Sequence, residues 1–232
     1  MKKSVVNYRE FRLSKINTPQ FSHLKLLLGW VVYFALYALT EVFIPWEKCR
    51  VVHCWLDDVI PFCEVFVIPY VFWYLLLVMS LVYFARYNVD SFKKLSIFII
   101  VTQIVAMAIY IAIPNRQDLR PLEFPRDNIF TQLVGLLYTV DTSTNVCPSL
   151  HVGYSLGMAS AWLKEKGVSK AWKTFIVITV ILICLSTMFI KQHSAVDALV
   201  AIPMCLLAEY IAYGKSYWYE KLRKKGKKIG ES

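Results

Sequence analysis

Four histidines occur in the chain, and the residues around two of them could move a phosphoryl group. His193 and Asp197 stand at positions i and i+4, which share one face of a helix. The carboxylate can accept the N–H of the imidazole, which fixes the tautomer and leaves the other ring nitrogen as a nucleophile. A second imidazole, His151, follows Pro148, Ser149 and Leu150. Ser149 reads as a helix cap, so His151 falls in a first turn where free amides and the helix dipole attract anions. From there it can give a proton to a departing oxygen. Arg116, Arg120 and Lys191 add cations, and guanidinium suits bidentate phosphate binding. Each feature alone has a plainer alternative: a His–Asp pair that stitches helices, an ordinary capped helix start, and cations among lipid head groups. All three plain readings together require separate coincidences, so the joint reading is a phosphate cradle with a histidine on either side.

The elements that must position these residues are membrane spans. The chain has 232 residues, 57% of them hydrophobic, against roughly 45–50% apolar in soluble domains. Long uncharged runs predict an all-α, six-helix bundle, with spans at Leu24–Ile44, Ile60–Ala85, Leu95–Ile113, Ser149–Leu163, Thr174–Ile190 and Ala195–Tyr213. The fourth is short and rich in Gly, Ser and Ala, which suits close helix approach inside the bundle. Three parts follow: a basic segment 1–23, a membrane domain 24–213 and a basic tail 214–232. No cleavable leader is expected, because the first 24 residues are polar and basic and the run after them is too long for a signal core.

The net charge of +10 does not point to nucleic acid, because the basic residues sit in short segments between apolar runs. Of the 26 Lys and Arg, 20 fall on the side that carries both termini and 6 on the other. That asymmetry predicts cytosolic termini and places His151 and His193 on the outer face. The run Lys221–Lys228 then lies against the inner leaflet as an anchor or a lipid-recognition patch.

The longest external segment, 114–148, is expected to hold a helix over 128–139, capped by Asp127. It reads either as an interfacial helix on the outer leaflet or as a lid on the bundle. Asp57, Asp58 and Glu64 cluster before the second span, as solvated carboxylates, acceptor ligands or partners for Arg116 or Arg120. Cys49 and Cys54 read as free thiols, a disulfide or, with His53, a fragment of a metal site. Glu209, inside the sixth span, needs a partner.

Pro148-Ser149-Leu150-His151 resembles the second signature of the type-2 phosphatidic acid phosphatase superfamily, written PSGH. Ser186 to Asp197 (STMFIKQHSAVD) resembles the third, SRxxxxxHxxxD, and Arg120-Pro121 the end of the first, KxxxxxxRP. The resemblance implies that His193 attacks phosphorus, Asp197 orients it, and His151 protonates the leaving group. It further implies that Arg120, Ser149 and Ser186 hold phosphate oxygens, and that no metal or other cofactor is required. Three positions depart from the pattern: Ile113 stands for the family Lys, Thr187 for the Arg, and Leu150 for the Gly. Arg116 and Lys191 are expected to replace the missing cations.

The departures look closer to the inositol phosphotransferase-like branch, which includes inositol phosphorylceramide synthases. The expected activity is hydrolysis of a lipid phosphate or diphosphate, with phosphatidic acid, phosphatidylglycerol phosphate and polyprenyl diphosphate as candidate substrates. The alternative is transfer of a phosphoryl head group to an alcohol. A reading of another class is a non-catalytic lipid-binding or transport protein. The compact architecture suggests a multi-pass protein of a bacterial plasma membrane; the oligomeric state is open.

Overall fold

The structure, a computed structural model, describes residues 4–221 and 223. It is 72% helical, and the strands among the described residues are two of two residues each, β1 (Arg50–Val51) and β2 (Asn115–Arg116). The expected all-α class therefore holds. Among the described residues, five helical stretches are long and apolar enough to cross a membrane: Ser22–Phe43, Glu64–Tyr87, Val89–Ala112, Lys170–Phe189 and Ala195–Tyr213. Within and between them lie α1 (Leu28–Phe43), α2 (Trp55–Val59), α3 (Val67–Tyr87), α4 (Val89–Ala112), α5 (Ile129–Val140), α6 (Leu150–Lys164), α7 (Lys170–Phe189) and α8 (Ala195–Tyr213).

The expected fourth span is the exception. Helix α6 has 15 residues, about 22 Å at 1.5 Å per residue, which is short of the ~30 Å hydrocarbon core. It packs centrally, against α4, α7 and α8. Its small residues make that position accessible: a Cβ on Gly157 would lie 2.6 Å from Phe98 Cδ1. Ser149 starts it by accepting from the Val152 N–H. At its far end Glu165 accepts from Asn88 Nδ2 and Ser91 Oγ at the start of α4.

Two expected boundaries shift for a common reason, that apolarity reports solvent whereas a helix is a backbone state. Helix α4 begins at Val89, capped by Asn88 and running through Asp90, Lys93 and Lys94 before its apolar part. Conversely, Ile60 is extended, and regular α-helix resumes only at Val67. In α5, Asn128 caps the helix rather than Asp127. Its Oδ1 accepts from the Phe130 and Thr131 amides, and Thr131 Oγ1 accepts from the Asn128 N–H. One face of α5 buries Thr131 and Val134, and Val134 packs with Val67, Tyr70 and Ile190.

The N-terminal segment is docked. Phe21 and His23 are buried, and Tyr8 Oη lies 2.8 Å from both His23 Nε2 and the Ala85 carbonyl. Glu209 finds the partner it requires in Lys164, at 2.7 Å, and it also accepts from Ser160 Oγ and Trp218 Nε1. Of the basic run Lys221–Lys228, only Lys221 and Arg223 are described; the rest lies outside the described residues.

Candidate active site

The turn between α7 and α8 fixes His193. The Thr187 carbonyl accepts from both the Gln192 and His193 amides, at 2.9 and 3.0 Å. Lys191 between them is left-handed, with φ 55°, a conformation few side chains other than Asn and Asp adopt readily. Ser194 then caps α8, and Asp197 Oδ2 accepts from the Ser194 N–H at 2.9 Å. His193 Nδ1 stands 3.1 Å from Asp197 Oδ2 and 3.1 Å from the Val146 carbonyl. Both partners only accept, so Nδ1 carries the proton and Nε2 keeps its lone pair. Asp197 is fully buried. Burial and the neighbouring Asp197 carboxylate push the Cys147 thiol up to about 12, so an uncharged S–H borders the carboxylate.

The second motif is tied directly to the third. The Ser149 N–H donates to the Asp197 carbonyl at 3.1 Å, which joins the first turn of α6 to the first turn of α8. Tyr110 Oη donates to the Pro148 carbonyl at 2.7 Å. Asn115 completes the frame: its Oδ1 accepts from the Val146 and Cys147 amides, and its Nδ2 donates to the Ile113 and Cys147 carbonyls. His151 stacks on Tyr70 and lies tilted against Trp73, with ring centroids 4.5 and 4.2 Å away. Its Nε2 is buried without a hydrogen-bond partner among the described residues. The rings of His151 and His193 are 5.7 Å apart, and both line one cavity of about 250 Å³.

A third segment braces this pair. Asp57, on the short helix α2, accepts from Ser194 Oγ at 2.6 Å and from the Ala195 N–H at 2.8 Å. It also accepts from the Cys54 N–H. Burial by itself would raise this carboxyl, but those hydrogen bonds hold it below the usual carboxylate range. Lys191 clamps the same loop, with Nζ 2.7 Å from the Asp57 carbonyl and 2.5 Å from that of Ile60. Asp57→Ala strands two buried donors at the base of α8, so it is expected to lower stability by about 3 kcal/mol. The check is the unfolding midpoint in detergent. Because the folded carboxyl is depressed, its contribution is present above the ordinary Asp value and lost as pH falls through the folded value.

The structure brings His151, His193, Asp197 and Ser149 together. The cations go elsewhere, and among the described residues no Lys or Arg lines the cavity. Arg116 lies over the Trp46 ring at 3.6 Å, bonds Asp118, and donates to the Trp46 and Cys49 carbonyls. Arg120 donates to the Tyr138 and Asp141 carbonyls, which satisfies the C-terminal end of α5. Burial lowers its pKa, though a guanidinium stays charged. Ser186 is fully buried and donates to the Ile183 carbonyl. Burial also lowers the Lys191 ammonium, against the pull of Asp57 and Asp58. Glu64 pairs with Arg126 at 2.9 Å, not with Arg116 or Arg120. All six cysteines are free thiols, Cys49 and Cys54 included.

Asn115, Cys147 and Val146 gave no advance signal, because their roles rest on backbone geometry and long-range contact. Asp57 stood out only as one of three clustered carboxylates. Compared with models of known families, with curated proteins and with solved structures, the chain finds no match.

Proposed function

We propose that this multi-pass membrane protein is a lipid phosphoryl-transfer enzyme that carries the phosphoryl group on His193. The observation that supports it most is the pairing of two differently held imidazoles on one cavity wall. His193 is oriented through Nδ1 by Asp197, and His151 has an uncommitted Nε2 with its ring centroid 5.7 Å from that of His193. In the first step His193 Nε2 bonds phosphorus, the ester P–O bond breaks, and the lipid oxygen takes a proton from His151. In the second step His151 takes a proton from the acceptor hydroxyl, whose oxygen displaces Nε2. The resemblance to type-2 phosphatidic acid phosphatases supports these roles. The expected outer-face placement rests on the 20 to 6 division of Lys and Arg.

Water as acceptor makes the enzyme a lipid phosphatase; an alcohol makes it a head-group transferase. The covalent step is the same for both. One observation favours the transferase: the cavity wall carries the Asp141 carboxylate and, among the described residues, no Lys or Arg. A phosphomonoester near its double charge meets no countercharge there, whereas a phosphodiester carries one negative charge. Labelled lipid phosphomonoester and phosphodiester, each incubated with and without alcohol acceptors, separate the two by product. Absence of free phosphate, released head-group phosphomonoester, phosphorylated alcohol and new phosphodiester from every substrate would leave the lipid-binding reading. The rate is also expected to follow a bell-shaped pH profile, because one imidazole must be neutral and the other protonated. A flat profile from pH ~5 to ~9 would count against the paired roles.

A further inference from the structure

Beside the histidines, the rest of the cavity lining has a composition of its own. Helix α1 turns one stripe into the cavity, which includes Trp30, Tyr33 and Tyr37, and α3 faces it with Trp73 and Tyr74. Asp141 stands at the end of α5. Its Oδ2 accepts from Tyr70 Oη at 2.6 Å and from Gln192 Nε2 at 3.1 Å. Its Oδ1 has no hydrogen bond among the described residues, and Arg120 holds its backbone carbonyl rather than its carboxylate.

Aromatic faces present negative quadrupole density, which attracts cations most strongly where water is excluded. A lining rich in aromatic rings, with one carboxylate and, among the described residues, no ammonium or guanidinium group, is therefore suited to a cation. A primary ammonium needs three acceptors, whereas a quaternary ammonium needs none. The size also discriminates: about 250 Å³ is below the ~300–1,000 Å³ of sites for drug-sized ligands. It fits a head group and leaves the acyl chains outside.

We infer that this cavity is the head-group site for a zwitterionic phosphodiester lipid whose cation is a quaternary ammonium, seated between the α1 and α3 aromatics with its phosphate toward His151 and His193. The inference rests on the proposed phosphoryl-transfer site being the substrate site. It explains the cation-free lining, because the ligand brings its own positive charge and enters with no net charge.

The test is calorimetric titration of the full chain in neutral-detergent micelles with short-chain phosphatidylcholine. The comparison ligands are its dimethylbutyl isostere (carbon in place of the cationic nitrogen), the ethanolamine lipid and phosphatidic acid. The choline lipid is expected to bind about tenfold tighter than the isostere, and the isosteric Asp141→Asn is expected to narrow that gap. Equal affinity for the isostere would overturn the inference by showing an apolar site, and equal affinity for the ethanolamine lipid would overturn the quaternary assignment. Tighter binding of phosphatidic acid would reveal an anion site and overturn it too. The two readings fail separately. A phosphohistidine formed from phosphatidic acid with no choline preference removes the head-group inference alone. A choline preference with no label on His193 from any of these lipids supports the head-group site and removes the covalent mechanism.

Discussion

His193→Ala is expected to abolish phosphoryl transfer, with a loss of about 10⁴-fold or more, and to leave no covalent label. Nε2 is the ring nitrogen left uncommitted by the Asp197 and Val146 contacts, and alanine offers nothing to bond phosphorus. The partner variant makes the expectation specific. His151→Asn removes a proton donor rather than the nucleophile, so it is expected to slow the reaction by about 10²–10⁴-fold while still labelling His193. The measurement is rapid quench with labelled lipid, followed by acid and alkali treatment, because phosphohistidine is acid-labile and alkali-stable. Label in His193→Ala equal to wild type would place the nucleophile elsewhere.

The second large effect is expected from Asp197→Asn, with a loss of about 10³–10⁴-fold and little change in fold. Asp197 Oδ2 serves two donors, the Ser194 N–H and His193 Nδ1. An asparagine amide has one oxygen for both. If that oxygen takes the place of Oδ2 it keeps both bonds, as Oδ2 alone does now, but the countercharge for an imidazolium is gone. If the NH₂ group faces Nδ1 instead, the imidazole moves its proton to Nε2 and the nucleophile disappears. Nitrogen chemical shifts of His193 report the tautomer directly. An unchanged tautomer with unchanged rate would leave Asp197 as a helix cap only.

The sequence carried the periodic and local parts of this architecture well. Positions i and i+4 put His193 and Asp197 in contact because helical spacing is fixed, and Ser149 capped α6 because a hydroxyl before an apolar helix has little else to do. The long apolar runs located the five long apolar helices within about six residues at each end. What sequence could not give was destination. Arg116, Arg120 and Lys191 looked equivalent as charges, yet each is taken by backbone carbonyls whose positions depend on the whole loop layer. Likewise α6 could be seen as small-residue rich, but its length against the bilayer depended on where Glu165 met Asn88 and Ser91. The two-residue β1–β2 ladder left no pattern at all, because so short a pairing has no periodicity.

The link between Ser149 and Asp197 runs through main-chain atoms, an amide of one motif and a carbonyl of the other. No change of side chain at either position removes that bond, except proline at 149, which has no N–H to give. The separation of the two imidazoles is therefore set by a gauge that is blind to side-chain identity. The lining of the cavity can drift over evolutionary time while the spacing of the two imidazoles stays in register.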